Sequence, residues 1–305
     1  MHATELAKAL AGQENLYAAL ADAIRAQDVT DDAGTVLAAL RPALDAATGA
    51  RLAAVDQGLV AAVIRHAQGL APIPAAPAIL AHIASLTPAP LFLPPIADSA
   101  SIPLPTNGQD PTMPGFSDRA FDAWFAAKSV PYGLGLYAER RRVYATPQFA
   151  DAASPERRTA HLGIDVFAPA LTPVYAPLAG KVRHITYNAD PLDYGHTLIL
   201  EHDAGGIPFF TLYGHLAHTL PGLLAVGDSV QPGQHIAHLG DWHENGGWAA
   251  HIHFQIMTDM LGQTQGNFFG VGHDSLWPVW AAICPDPNLI LRLPPERFSQ
   301  AALGG

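Results

Sequence analysis

Apolar positions recur at helical spacing over residues 1–70. Leu6, Leu10, Leu16, Leu20 and Ile24 form a first series. Leu37, Leu40 and Leu44 form a second, and Leu52, Val55, Leu59 and Val63 a third. Alanine fills the intervals, as expected of amphipathic helices packed on one another. The break at 28–34 offers Thr30, Asp31 and Asp32 as caps for the second helix, and a short fourth helix is expected over 78–86. Eleven prolines between Pro72 and Pro114 then disfavour long helices and inner strands. One more short helix, SDRAFDAWFAAK at 117–128, is expected with Ser117 as its cap. From about Tyr144 the period changes. Short β-type runs (PVYAP, GKVRHITY, HTLILEH, PFFTLYGH, QHIAHLG, HIHFQIM) alternate with Gly and Pro, which predicts a mainly β region. The expected organisation is a helical domain at 1–90, a Pro-rich connector with a short helix at 91–143, and a β domain at 144–305.

Composition narrows the function. Sixteen basic against 27 acidic residues give a net charge of −11, which argues against nucleic acid or an anionic membrane as partner. No run is long and apolar enough for a transmembrane helix, and the N-terminus lacks the pattern of a signal peptide. A cytoplasmic protein is therefore expected. The single cysteine, Cys284, excludes an intrachain disulfide and a Cys-rich zinc cluster; its apolar context predicts an inert thiol. Of 15 histidines, twelve lie between His161 and His273, and histidine is the commonest metal ligand.

Three strings carry the chemistry: HLGID (161–165), YGHL (213–216) and HIH (251–253). On a strand, His251, His253 and Gln255 share one face and Ile252, Phe254 and Ile256 the other. His161 and Asp165 also return to one face, and Gly163 between them lets the backbone pass close to another group. Thr211, Tyr213 and His215 are expected to share a face, with His215 at the strand end near solvent. A mononuclear hydrolytic zinc site needs three protein ligands and an open position, and His161, Asp165, His215, His251 and His253 are the candidates. His196, His202, His218, His235, His238 and His273 read as ordinary hydrogen-bonded histidines. His243 and Glu244 sit on a loop that should border the groove, as do Trp242 and Trp248. The basic run Arg140, Arg141, Arg142 reads as a solvated stretch, the sharper reading being that an arginine of this run, or Arg157, reaches the site to bind a substrate carboxylate or phosphate.

These strings, with TPVYAPLAGKV (172–182), VGDSVQPGQHIAHLG (226–240) and HIHF (251–254), resemble the M23 metallopeptidases, the lysostaphin/LytM-type zinc endopeptidases, over roughly 158–260. The resemblance implies a compact antiparallel β core holding one Zn²⁺. It implies His161, Asp165 and His253 as ligands and His215 and His251 as the catalytic pair. The chain departs from the family at Gly195-His196, at Trp248-Ala-Ala-His251, and in the longer loop 241–248. It is most similar to a branch found fused to class III aminotransferases, a context that implies small amino compounds. The expected activity is zinc-dependent hydrolysis of an amide or peptide bond. The alternatives are lyase, aldol-type or non-peptide hydrolytic chemistry on a small amino or hydroxy metabolite, or a non-catalytic binding module. Expected partners are a peptide or small-molecule substrate and, through the N-terminal helices, a second copy of the chain.

Overall fold

The computed structural model describes residues 2–106, 110–141, 143–144 and 146–299. Arg142 of the basic run lies outside them. Six helices come first: α1 (His2–Leu10), α2 (Leu16–Ala26), α3 (Ala33–Leu40), α4 (Ala46–Ala53), α5 (Gln57–Ala67) and α6 (Ala76–Ser85). The first and third apolar series are thus each split in two. The splits fall where a short polar side chain caps the next helix. Asn15, Asp32, Asp45 and Asp56 accept from backbone N–H groups of Ala18, Thr35, Ala47 with Thr48, and Leu59, satisfying donors that a helix start leaves orphaned. Each cap is worth about 1 kcal/mol, enough to set boundaries within one apolar series.

The chain then forms β1 (Ser101–Pro103), α7 (Ala120–Ala126) and β2 (Tyr132–Gly135). The Pro-rich stretch therefore does more than connect, since it adds two strands to the main sheet. Ser117 caps nothing there; Asp118 accepts from Ala120 N just before α7. Next come β3 (Ala160–His161), β4 (Ile164–Phe167), β5 (Pro173–Tyr175), β6 (Gly180–Asn188), β7 (Gly195–Asp203), β8 (Pro208–Leu216), α8 (Leu220–Leu223), β9 (Ser229–Val230), β10 (His235–His238), β11 (His251–Met257) and β12 (Val271–Gly272). Two short helices, α9 (Trp277–Ile283) and α10 (Asn288–Leu291), follow.

The main sheet has eight strands in the order β1-β2-β4-β11-β8-β7-β6-β9. It is antiparallel throughout the C-terminal region, as expected, and the one parallel pair is β1–β2 at its edge, contributed by the preceding segment. The long connection from 104 to 131, which carries α7, is what allows β2 to lie parallel to β1. One face of the sheet, with Ile164, Val166, Leu198, Tyr213, Ile252 and Phe254, packs on Phe92, Val174, Ile236 and Ile290. The opposite face offers Ile199, Leu212 and Met257 to α1, α2, α3 and α5 and to Trp280 of α9. The helical segment and the β region thus share one core. Among the described residues no single helix is long and apolar enough to cross a membrane.

The strand β8 carries the irregularity that matters most. His196 pairs with Leu216 and Leu198 with Tyr213, so Gly214 and His215 together oppose Thr197 alone. This is a β-bulge, with His215 at φ +62°. Gly214 is needed beside it, because a Cβ there would lie 2.5 Å from the Tyr194 ring. Replacing Gly214 with Ala should destabilise the protein by about 1–3 kcal/mol, the cost of overpacking a filled core. Chemical denaturation checks this; an unchanged midpoint would mean that Tyr194 is free to move.

Candidate metal centre

Strand pairing brings the distant strings together. β11 lies between β4 and β8, with His253 opposite Asp165 on one side and Gly214 on the other. His161 reaches the same point from β3, and Gly163 lets that segment pass directly over His253. A Cβ at 163 would sit 2.5 Å from the His253 ring.

His161 Nε2 lies 3.0 Å from His253 Nδ1, and each lies 3.2 Å from Asp165 Oδ1. All three side chains are buried. The outer ring nitrogens show where the protons are. His161 Nδ1–H donates to the Leu136 carbonyl at 2.8 Å. His253 Nε2–H donates to Gln255 Oε1 at 2.8 Å, and the Gln255 amide is oriented by its own donation to the Phe269 carbonyl at 3.0 Å. With those protons spent outward, both inner nitrogens present lone pairs to a carboxylate oxygen. Three acceptors this close without a shared proton repel one another, and a cation among them relieves that repulsion. Two imidazoles and one carboxylate are the donor set of a catalytic zinc site with room for a fourth ligand.

His251 and His215 stand beside this set. His251 Nδ1–H donates to the Ala249 carbonyl at 2.7 Å, and His215 Nδ1–H to the Asn245 carbonyl at 2.8 Å. Their Nε2 atoms have no hydrogen-bond partner among the described residues, and the ring centroids are 4.2 Å apart. The bulge corrects two expectations. A regular strand would place His215 on the face of Tyr213, in the opposite core; the positive φ swings it to the face of His251 and His253. It is also only 6% exposed rather than near solvent. The loop 241–248 is the brace for both rings, since it supplies the Asn245 carbonyl and leads directly into Ala249. Asn245 itself is fully buried and cross-links Gly240, Gly247 and Trp248.

Glu244 is spent on structure, accepting from His218 N, His218 Nδ1 and Asp241 N. His243 is exposed, with Asp241 as its neighbour at 3.9 Å. Trp242 is packed with Phe116 and Phe121, and its Nε1–H donates to Asp122. Of the loop's aromatics, Trp248 alone lines the cavity beside the site. His202 is bonded to Ala179 O and Thr211 Oγ1, and His235 and His238 to Ala237 O and Thr219. His196 stacks on Tyr187, and His273 lies buried with Nε2 3.4 Å from Asp151. Cys284 is buried against Gln255, and burial pushes its thiol pKa up.

Two residues that the motifs did not single out complete the site. Arg141 is 3% exposed, and its Nη1 donates to Asp165 Oδ2 at 2.6 Å while Nε donates to Glu139 at 3.0 Å. It fixes the carboxylate so that Oδ1 faces the histidines. Arg140, by contrast, pairs with Asp274 at the surface. The signal available in the sequence was the run itself, which offered three arginines without showing which of them turns inward. Tyr194 packs its ring between His215 and His253, at 5.6 and 5.1 Å between centroids. The cavity encloses about 320 Å³.

Burial lowers the His161 and His251 pKa values from 6.5 to about 4, with Arg141 adding to the effect at His161. Burial, and then the neighbouring His251 and His253, hold His215 well below its usual value. For Asp165 burial acts upward, but His161 and Arg141 more than offset it and the carboxyl stays well below 3.8. The unfolded chain therefore binds more protons than the folded one below about pH 6.5, and stability falls as pH drops from there toward 4. The Asp165 contribution is lost in the same direction, at still lower pH. Thermal melting of metal-free protein at stepped pH tests this. A melting temperature that holds steady from neutral pH to about 4.5 would show that the rings are not buried neutral.

Residues 159–265 match peptidase family M23. Among solved structures, the chain is similar to a zinc containing peptidase from Vibrio cholerae (31% identity, 33% of this chain and 28% of that chain, TM-score 0.28). It is also similar to the catalytic domain of the antimicrobial peptidase lysostaphin from Staphylococcus simulans (24% identity, 39% of this chain and 80% of that chain, TM-score 0.28). A longer form of that lysostaphin matches at 27% identity, over 40% of this chain and 45% of that chain, with TM-score 0.28. The chain thus spans less than a third of the Vibrio cholerae peptidase. No curated protein matches.

Proposed function

We propose that the chain, whose residues 159–265 form a domain of peptidase family M23, is a zinc-dependent hydrolase that cleaves an amide or peptide bond. The observation that carries this reading is the convergence of three atoms able to hold a metal, His161 Nε2, Asp165 Oδ1 and His253 Nδ1, beside two further imidazoles whose Nε2 atoms have no hydrogen-bond partner among the described residues. A zinc ion held by those three atoms supplies Lewis acidity toward a carbonyl oxygen and brings the pKa of a water to roughly 7.

The chain's own groups do the rest. His251 Nε2 lies 3.9 Å from Asp165 Oδ1, close to the ligand set without joining it. It enters neutral, because burial holds its pKa near 4, and so it can take a proton from the attacking water. His215 also enters neutral, with Nδ1–H fixed on Asn245. It can donate a hydrogen bond to a developing oxyanion, or a proton to the leaving amine, only after Nε2 has itself been protonated. Rings 4.2 Å apart in a buried site do not both carry charge, so one proton is passed between base and acid roles. Arg141 keeps Asp165 ionised and oriented throughout.

Two substitutions separate holding the metal from moving protons. His253→Ala should lose the zinc found by elemental analysis, whereas His251→Ala should keep one zinc per chain and lose about 10²–10⁴-fold in kcat. A His251→Ala protein that retains both zinc and full turnover would show the proton acceptor to be elsewhere. Small peptides, N-acylated amino acids and glycine-rich peptides are the substrates to screen.

A further inference from the structure

Three residues that line the cavity beside the ligand set, Arg141, Tyr194 and Trp248, each carry a buried donor that no other described residue satisfies: Arg141 Nη2, Tyr194 OH and Trp248 Nε1. Buried donors are normally paired, and three orphans on one cavity wall point to a ligand rich in acceptors. We propose that this wall is a carboxylate pocket and that the substrate presents a free carboxylate to Arg141 Nη2, next to the metal ligands. This rests on the hydrolase reading and deepens it. The preferred substrate is a short free acid, such as an N-acylated amino acid or the C-terminal end of a small peptide, rather than an internal bond of a long chain.

Arg141 is built for this second task. Its Nε and Nη1 are occupied by Glu139 and Asp165 and the Tyr144 hydroxyl lies beside the guanidinium, which leaves Nη2 as the end that makes no hydrogen bond of its own. Gly135 keeps that end open, since a Cβ there would lie 2.8 Å from Nη2. The other arginine on the wall, Arg158, is committed to the Ala150 and Gln148 carbonyls and to Asp151. Asp190 and Asp193 also line the cavity, but Asp193 is held by Tyr194 N and the Asn267 amide. The volume of about 320 Å³ and the rings of Phe116, Tyr144, Phe149, Phe268 and Phe269 suit a small ligand with an apolar body.

Isothermal titration of the full chain with N-acetyl-L-phenylalanine and with N-acetyl-L-phenylalaninamide tests the pocket. Zinc-loaded protein should bind the acid about 10–100-fold more tightly than the amide, the range for charge-assisted hydrogen bonds. Metal-free protein should keep a smaller preference in the same direction. Arg141→Met, checked for native circular dichroism, should reduce the preference to within about threefold. Trp248→Phe keeps an aromatic side chain, smaller and without the N–H donor, and should weaken acid binding several-fold; it serves as the test if Arg141→Met does not fold. Equal binding of acid and amide by the wild-type protein, or a preference that survives in folded Arg141→Met, overturns the pocket. Amide hydrolysis without acid preference would sink the pocket alone. Acid preference in a chain that neither binds zinc nor hydrolyses amides would sink the hydrolase reading and leave the pocket standing.

Discussion

The site depends on one unfavourable arrangement. Two imidazole lone pairs and a carboxylate oxygen are held about 3 Å apart, in a buried place, with no proton between them. Left to themselves such groups would rotate away or share a proton. They do neither, because each is held from behind. The Leu136 carbonyl takes the outer proton of His161, Gln255 that of His253, and Arg141 grips the far oxygen of Asp165. The backing groups are in turn held: Leu136 directly follows β2, Gln255 is fixed by Phe269, and Arg141 by Glu139. The fold itself thus aims the three atoms at one point, and a cation held there would be stabilised by the repulsion it removes as well as by the bonds it makes.

The same logic explains why the sheet is irregular where it is. A regular β8 would give Thr211, Tyr213 and His215 one face, and that face is committed to the apolar core around Phe254 and Ile252. The extra residue at Gly214–His215 lets one strand serve two faces, Tyr213 inward and His215 toward His251 and His253. A non-glycine residue at φ +62° carries a strain of order 1–3 kcal/mol, which persists only where surroundings enforce it. Here the Asn245 carbonyl, Tyr194 and His251 do so. Asn245 in turn is braced by four hydrogen bonds within its own loop, so the unusual length of 241–248 is the cost of fixing two histidines from one side.

How far the sequence carried depended on whether the signal was periodic. The period-two alternation of 251–257 placed His251, His253 and Gln255 on one face, and the pairing with Asp165 follows from strand order. Helix-spaced leucines located the bundle, but the splits at Asn15 and Asp56 were set by single cap side chains, a signal weaker than the apolar pattern that ran across them. β1 was hidden because proline density argued against strands; it lies at the sheet edge, where the missing donor of Pro103 is tolerated. The position of His215 was illegible because a bulge breaks the period from which faces are counted. Arg141 was visible only as one of three arginines, and what distinguishes it is a distant partner, 24 residues on at Asp165.

The N-terminal helices acquire a physical role from the face on which they pack. Their leucines close over Ile199, Leu212 and Met257, the same sheet face that displays His251, His253 and Gln255 at its other end. That cluster extends through Trp280 to Phe268, and Phe268 and its neighbour Phe269 form part of the cavity wall. Phe269 also supplies the carbonyl that orients Gln255, which sets the tautomer of His253. The bundle therefore bears on the segment that both walls the cavity and fixes the His253 ring. Removing it would expose the sheet's second face to water and free the 268–270 segment together. The helices are better understood as the far side of the site's own core than as a separate unit joined to it.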